Sequence, residues 1–196
     1  MLSFEPIAAD FHIELIDPIS LPHTEVDTIW EEKKEPHHFD APFVHCLNYD
    51  THSLTGCLLP YRYLFAQQQG LSIPIRPVTL CGITRHGDQI LLGKRSPNVT
   101  QHPGAWECVP SGSLDRADFL AALTQELYEE AHLTPTSLTP FALVNESPML
   151  HLLCHLTVGT STLPSATAEY TAFHWLAPSQ SPPPGPLVPL TKLIIV

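Results

Sequence analysis

The residues with the clearest chemical potential are three glutamates crowded onto one stretch of helix-forming sequence. Residues 116–132 read as the strongest helix in the chain, with Asp115 as the expected N-cap, Asp118 in the first turn and Pro135 as the stop. At about 100° per residue, Leu120, Leu123, Leu127 and Ala131 fall on one stripe, the expected core face. Glu126, Glu129 and Glu130 gather on another face. Glu126 stands three residues from Glu129 and four from Glu130, so all three carboxylates are neighbours. Like charges at this spacing cost about 0.2–0.5 kcal/mol per pair, and nothing basic there relieves them. Two readings follow. One is a divalent-cation site, because Mg²⁺ takes carboxylate oxygens together with substrate phosphates; the other is a solvated acidic face.

The rest of the composition narrows the field. A chain of 196 residues suits one domain, or a core domain with a smaller added region, and 43% apolar against 15% charged residues is globular rather than disordered. A net charge of −11 disfavours a nucleic-acid or anionic-membrane surface, since such binding rests on many basic contacts to phosphate. Met1-Leu2-Ser3-Phe4-Glu5 shows no basic segment leading into an apolar run, so no signal peptide is expected. No stretch approaches the ~20 apolar residues of a membrane-spanning helix. Five scattered cysteines without a CxxC pair fit reduced, buried thiols and a cytoplasmic location. Twenty-one prolines cut the chain into short elements.

Those elements must position the glutamates. Residues 11–16 alternate like a strand, 24–34 suit a short helix capped by Thr24, and 43–48 and 58–65 look strand-rich. Residues 67–70 suit a connector. Residues 78–84 and 89–95 read as a hairpin with a loop of about four residues around Gly87. A Pro- and Gly-containing loop over 96–105 precedes Trp106-Glu107-Cys108-Val109-Pro110-Ser111-Gly112. Further strands are expected over 141–145, 149–158 and 170–176, and a Pro-rich linker over 181–189. The fold class is α/β (α+β), with strands outnumbering helices.

The segment Val109-Pro110-Ser111-Gly112-Ser113-Leu114-Asp115, followed by Gln125-Glu126-Leu127-Tyr128-Glu129-Glu130, resembles the Nudix box, G-x5-E-x7-R-E-U-x-E-E-x-G-U, with U a bulky aliphatic residue. The flanks are similar to the family too: Leu92-Gly93-Lys94-Arg95, Pro103-Gly104-Ala105-Trp106, and Glu169 leading into Phe173-His174-Trp175-Leu176. The resemblance covers residues 76–192. Glu126, Leu127, Glu129, Glu130 and Leu133 match the box directly. Gln125 replaces its Arg and His132 its second Gly. Gly112 matches the first Gly if one residue is deleted before the helix, which puts Asp118 at the first Glu; without the deletion Ser111 takes the place of Gly112.

The resemblance implies a Nudix-like mixed β-sheet sandwiched between helices over residues 74–196, preceded by an α+β extension over 1–73. It implies a pyrophosphohydrolase that cleaves a nucleoside-diphosphate-linked small molecule with Mg²⁺ or Mn²⁺. Glu126, Glu129 and Glu130 would hold the metal, and one of them would deprotonate the attacking water. Lys94 and Arg95 would meet substrate phosphates, and Gly112 would let the loop backbone approach the site. The missing Arg leaves an alternative, a catalytically weakened Nudix-fold module that binds nucleotide or metal; an interaction protein with a solvated acidic helix is a third. Ile29-Trp30-Glu31, Phe39-Asp40-Ala41-Pro42 and Tyr61-Arg62 resemble the front half of the UDP-glucose pyrophosphatase branch, which implies a UDP-sugar.

Other groups read more plainly. His37-His38, His45 with Cys46, and His151 with Cys154-His155 match no structural zinc spacing and are expected to be ordinary histidines. Glu107 is either a further ligand or a strand-edge charge. Trp30, Trp106 and Trp175 are expected in the core.

Overall fold

A computed structural model describes residues 3–36 and 38–195; Met1, Leu2, His37 and Val196 lie outside it, and with them the reading of His37 and the first two residues of the N-terminal pattern. The described residues form eleven strands and four helices, the expected α+β composition. They fall into two compact units, residues 3–36 and 38–79 with 113–122 and 141–152, and residues 80–112 with 123–140 and 153–195.

In the first unit, β2 (His12–Ile16) runs parallel to β4 (Ser53–Pro60), and β3 (Pro42–Tyr49) pairs antiparallel with β4 on its other side. Helices α1 (His23–Lys33) and α2 (Tyr61–Gln68) cover an apolar cluster of Val26, Phe43, Leu59, Tyr63 and Leu64, with the Trp30 and Phe65 rings edge-on at 5.4 Å. β1 (Ser3–Pro6) pairs antiparallel with residues 142–145 of β9 (Pro135–Glu146). His45 is buried, and its Nδ1 accepts the Arg76 N–H at 3.0 Å.

The second unit is built on β6 (Gln89–Arg95). It follows β5 (Val78–His86) in a hairpin and pairs antiparallel with β7 (Trp106–Cys108) and β11 (Tyr170–Leu176). The larger sheet has the order β1-β9-β10-β5-β6-β11, with β10 spanning Met149–Val158, β7 attached to β6, and β8 (Ser111–Ser113) attached to β5. The C-terminal tail zips along β7. Trp106 N–H donates to Pro186 O, Val188 N–H to Trp106 O, and Cys108 N–H to the Thr191 hydroxyl of α4 (Pro189–Ile195).

Several expected boundaries move. Residues 61–65 are helical rather than extended, because Pro60 presets the entry at φ −64 and Tyr63, Leu64, Phe65 and Ala66 are all buried. Residues 58–65 are too few, and too rich in strand-forming aromatics, for a helical period to be read. β4 instead starts at Ser53, where Gly56 lets the strand approach β3: a Cβ there would sit 2.6 Å from His45 O. The hairpin turn is two residues, Gly87 and Asp88, with Gly87 at φ 60. Thr24 lies inside α1, whose N-cap is Pro22 with no side-chain cap. α3 (Phe119–Ala131) begins later than expected, so Phe119 takes the first-turn core contact and Leu120, a step further round, is 41% exposed. The Pro-rich stretch expected as a linker is irregular to residue 188 and leads into α4, a helix the sequence reading did not include. All three tryptophans are buried.

Candidate active site

The helix that carries the glutamates is capped by Asp118, not Asp115: the Ala121 N–H donates to Asp118 Oδ1 at 2.9 Å. Asp115 instead holds Arg116, its oxygens accepting from Nε at 2.6 Å and from the guanidinium at 2.9 Å. The helix ends at His132, whose φ of 54 is left-handed. That is the position at which the Nudix box carries Gly, and His is among the side chains that tolerate this conformation. One face of α3 buries Leu123, Leu127 and Ala131. Beside it Glu130 is only 4% exposed, Glu126 is half-buried and Glu129 is exposed. Gln125 Nε2 donates to Glu129 Oε1 at 2.8 Å, an i,i+4 bond within the helix.

The loop before the helix meets two of these carboxylates with its backbone. The Ser111 N–H points at Glu130, 3.3 and 3.4 Å from its two oxygens. Gly112 packs against Glu126 so closely that a Cβ would fall 2.9 Å from Cδ and from Oε1. No other residue type leaves that space. The loop is itself fixed by Gly82, whose N–H donates to Pro110 O at 2.7 Å and where a Cβ would strike Pro110 Cδ at 2.4 Å.

Glu126, Glu129 and Glu130 line one pocket of about 190 Å³ together with Thr167, Ala168 and Glu169, the turn leading into β11. No Lys, Arg or His is among these lining residues. Burial pushes the Glu130 carboxyl well above the usual carboxylate range, and the charges of Glu169, Glu126 and Glu107 push it further. The Ser111 N–H opposes this only partly. Such a set of hard oxygen donors around an acidic void fits a divalent cation in kind. Among the described residues, however, no three His, Cys, Asp or Glu side chains already gather tightly enough to make a finished metal site.

The other expected residues lie apart from the lining. Arg95, itself half-buried, forms an ion pair with the buried Glu107, and its Nε donates to Gln101 O at 2.8 Å. Glu107, 5% exposed, also accepts the Tyr170 phenol at 2.7 Å. It is thus neither a pocket wall nor a strand-edge charge but the centre of an Arg95–Glu107–Tyr170 set. Lys94 is half-buried on β6 between Trp106 and Ala172 of the flanking strands. Glu169 is the pocket residue that sequence reasoning marked only as a family flank; an isolated acid before a strand carries no periodicity to single it out.

Residues 74–192 match the NUDIX domain family, well over half of the chain, and the chain belongs to that family. Its fold is similar to that of the MutT NUDIX hydrolase from Burkholderia pseudomallei, with 20% identity, a TM-score of 0.50, and coverage of 61% of this chain and 95% of that one. It is similar also to the NUDIX domain of NrtR from Shewanella oneidensis, solved with ADP ribose, at 16% identity and a TM-score of 0.51, covering 61% of this chain and 84% of that one. No curated protein matches the sequence at a significant level. No helix among the described residues is long and apolar enough to cross a membrane.

Proposed function

We propose that this protein is a divalent-metal-dependent Nudix hydrolase that cleaves a nucleoside-diphosphate-linked small molecule, with a UDP-sugar as the preferred substrate. The observation that carries this reading is the pocket in which Glu126, Glu129, Glu130 and Glu169 stand together with no cationic side chain in the lining. Glu126, Glu129 and Glu130 would hold Mg²⁺ or Mn²⁺. A bound ion supplies neutralisation of phosphate charge and a lowered pKa for the attacking water. One of these carboxylates takes the water's proton. Gly112 keeps the loop backbone against the Glu126 carboxylate, and the Gln125 amide orients Glu129 from within the helix. Lys94 and Arg95, at the end of β6, are assigned to the substrate phosphates; a guanidinium has five N–H donors, so Arg95 can serve there while bound to Glu107. Residues 1–73 are assigned as an N-terminal region and 74–196 as the hydrolase domain. The UDP-sugar preference rests on the short similarities around Trp30, Asp40 and Arg62. Five free, buried cysteines support a reducing, cytoplasmic setting.

The test is a panel of nucleoside diphosphate compounds, including UDP-glucose and ADP-ribose, with Mg²⁺ or Mn²⁺, reading phosphate after phosphatase coupling. Turnover greatest on UDP-sugars is expected; silence across the panel with both ions refutes the reading. Gln125 favours the second reading, a weakened binding module, because its amide gives Glu129 a hydrogen bond without the charge of an Arg. A melting shift with nucleotide but no product would select that module.

A further inference from the structure

Glu169 is the one pocket carboxylate not carried by α3, and the turn that presents it is short and polar. What holds that turn is the residue after it. Tyr170 is fully buried, and its ring lies on the bare backbone of Gly93, where a Cβ would come within 2.5 Å of Tyr170 Cδ1. Its phenol donates to Glu107 Oε1 at 2.7 Å, and Glu107 is in turn fixed by Arg95. Its backbone closes the turn from both sides: Tyr170 O accepts the Thr167 N–H at 2.8 Å, and the Tyr170 N–H donates to Thr167 Oγ1 at 3.2 Å. The Glu169 carbonyl accepts the Ser96 N–H at 2.6 Å.

We infer that Tyr170 is a positioning residue. By anchoring its phenol on the Glu107–Arg95 pair it fixes the turn 167–169 and so holds the Glu169 carboxylate in the pocket opposite the helix glutamates. A phenol anchored only by packing leaves the ring free to slide along the Gly93 backbone; the hydrogen bond to a charged acceptor removes that freedom. The Arg95–Glu107 pair thereby acts on the site at one remove, through a residue that does not itself line the pocket.

The inference rests on the proposed function only for its effect on metal and turnover, and a third readout stands apart from both. Tyr170→Phe keeps the ring on Gly93 and removes the anchor. In the full-length protein, amide exchange at Ser96, Thr167 and Tyr170 is expected to quicken about tenfold, while exchange in β10 stays as in the wild type. Mn²⁺ affinity, read by water-proton relaxation, should weaken about tenfold, and kcat should fall by a similar factor with KM within about twofold. Glu107→Gln keeps an acceptor for the phenol and loses the charge partner of Arg95, so it should show the same three changes in milder form; it also serves if Tyr170→Phe does not fold. Unchanged exchange in the turn overturns the inference whatever the activity. Faster exchange throughout the molecule overturns it too, since that marks a merely structural bond. Turn-specific loosening in a wild type that binds no Mn²⁺ upholds the anchor and refutes the metal reading instead.

Discussion

Replacing Gly112 by Ala should separate the demands of the site from those of the fold. Its Cβ would land 2.9 Å from Glu126 Cδ and Oε1 and 3.2 Å from Oε2. Favourable non-bonded separations are about 3.5 Å, so the carboxylate must retreat by about 0.5 Å. The backbone does not object, because Gly112 is not among the glycines with positive φ. Restricting the unfolded chain gains about 0.4–1 kcal/mol, and pushing Glu126 off its rotamer costs about 0.5–1.5 kcal/mol, so the net change in stability is within about 1 kcal/mol. A misplacement of 1 Å costs about 10²-fold in rate, and half of that about tenfold. Gly82→Ala is the contrast: its Cβ would meet Pro110 Cδ at 2.4 Å and Leu156 Cδ1 at 2.9 Å in packed surroundings, and overpacking there costs about 1–3 kcal/mol. Urea unfolding, metal-dependent melting and turnover are measured on both variants. If Gly112→Ala keeps full turnover and metal response, or loses as much stability as Gly82→Ala, the close approach to Glu126 has no part in the site.

Millimolar Mg²⁺ or Mn²⁺ should raise the melting temperature, by about 2.7 kcal/mol of stability at a hundredfold excess over the dissociation constant, and Glu130→Gln should abolish the shift. Asp40→Asn, which alters only the Asp40 contacts with Arg62, should leave the shift intact. Gln125→Arg should raise turnover of whatever substrate is found, and a slower variant would mean the helix has been rebuilt around the amide. Burial lowers the pKa of His45 below 6.5, and that of His151 likewise, so the unfolded chain binds protons that the folded one refuses. Their contribution is complete above pH 6.5 and is lost as pH falls from there through their lower folded-state values, so the urea midpoint should drop on acidification below 6.5. His45→Asn can still accept the Arg76 N–H and does not titrate; a pH slope as steep as the wild type's would discount His45 as its source.

How much of this was legible in the sequence depends on the kind of signal each part carries. Strands with clean edges, 89–95, 149–158 and 170–176, match the structure residue for residue, because turn residues bound them on both sides. The glutamate face was legible because a helix has a fixed pitch, and an i,i+3,i+4 set must share a face. The start of α3 was not. Asp115 and Asp118 are equally good caps by type, and Arg116 claims the first of them only through a pairing visible in three dimensions. Residues 61–65 misled for another reason, since a short run rich in Tyr and Phe suits a strand by type as well as a helix. Glu107 and Glu169 were ambiguous because a single acid in a strand or turn has no pattern. Only the convergence of β6, β7 and the turn before β11 tells the one in the ion pair from the one in the pocket.

The two departures from the box are unequal once their surroundings are known. The position after the double glutamate needs a left-handed residue, and His132 adopts φ 54, so the backbone requirement is met without Gly. The Arg position needs both a hydrogen bond and a positive charge, and Gln125 meets only the first, through its 2.8 Å bond to Glu129 Oε1. If these glutamates hold a metal as proposed, what the site lacks is therefore charge, not shape. Without that Arg the acidic pocket is one unit more negative than the box provides, which strengthens its pull on a cation while leaving Glu129 less firmly held. Metal affinity and turnover should then move in opposite directions when the charge is restored. Gln125→Arg would weaken Mn²⁺ binding even as it speeds the reaction, and a variant that strengthened both would place the defect in the geometry of the loop instead.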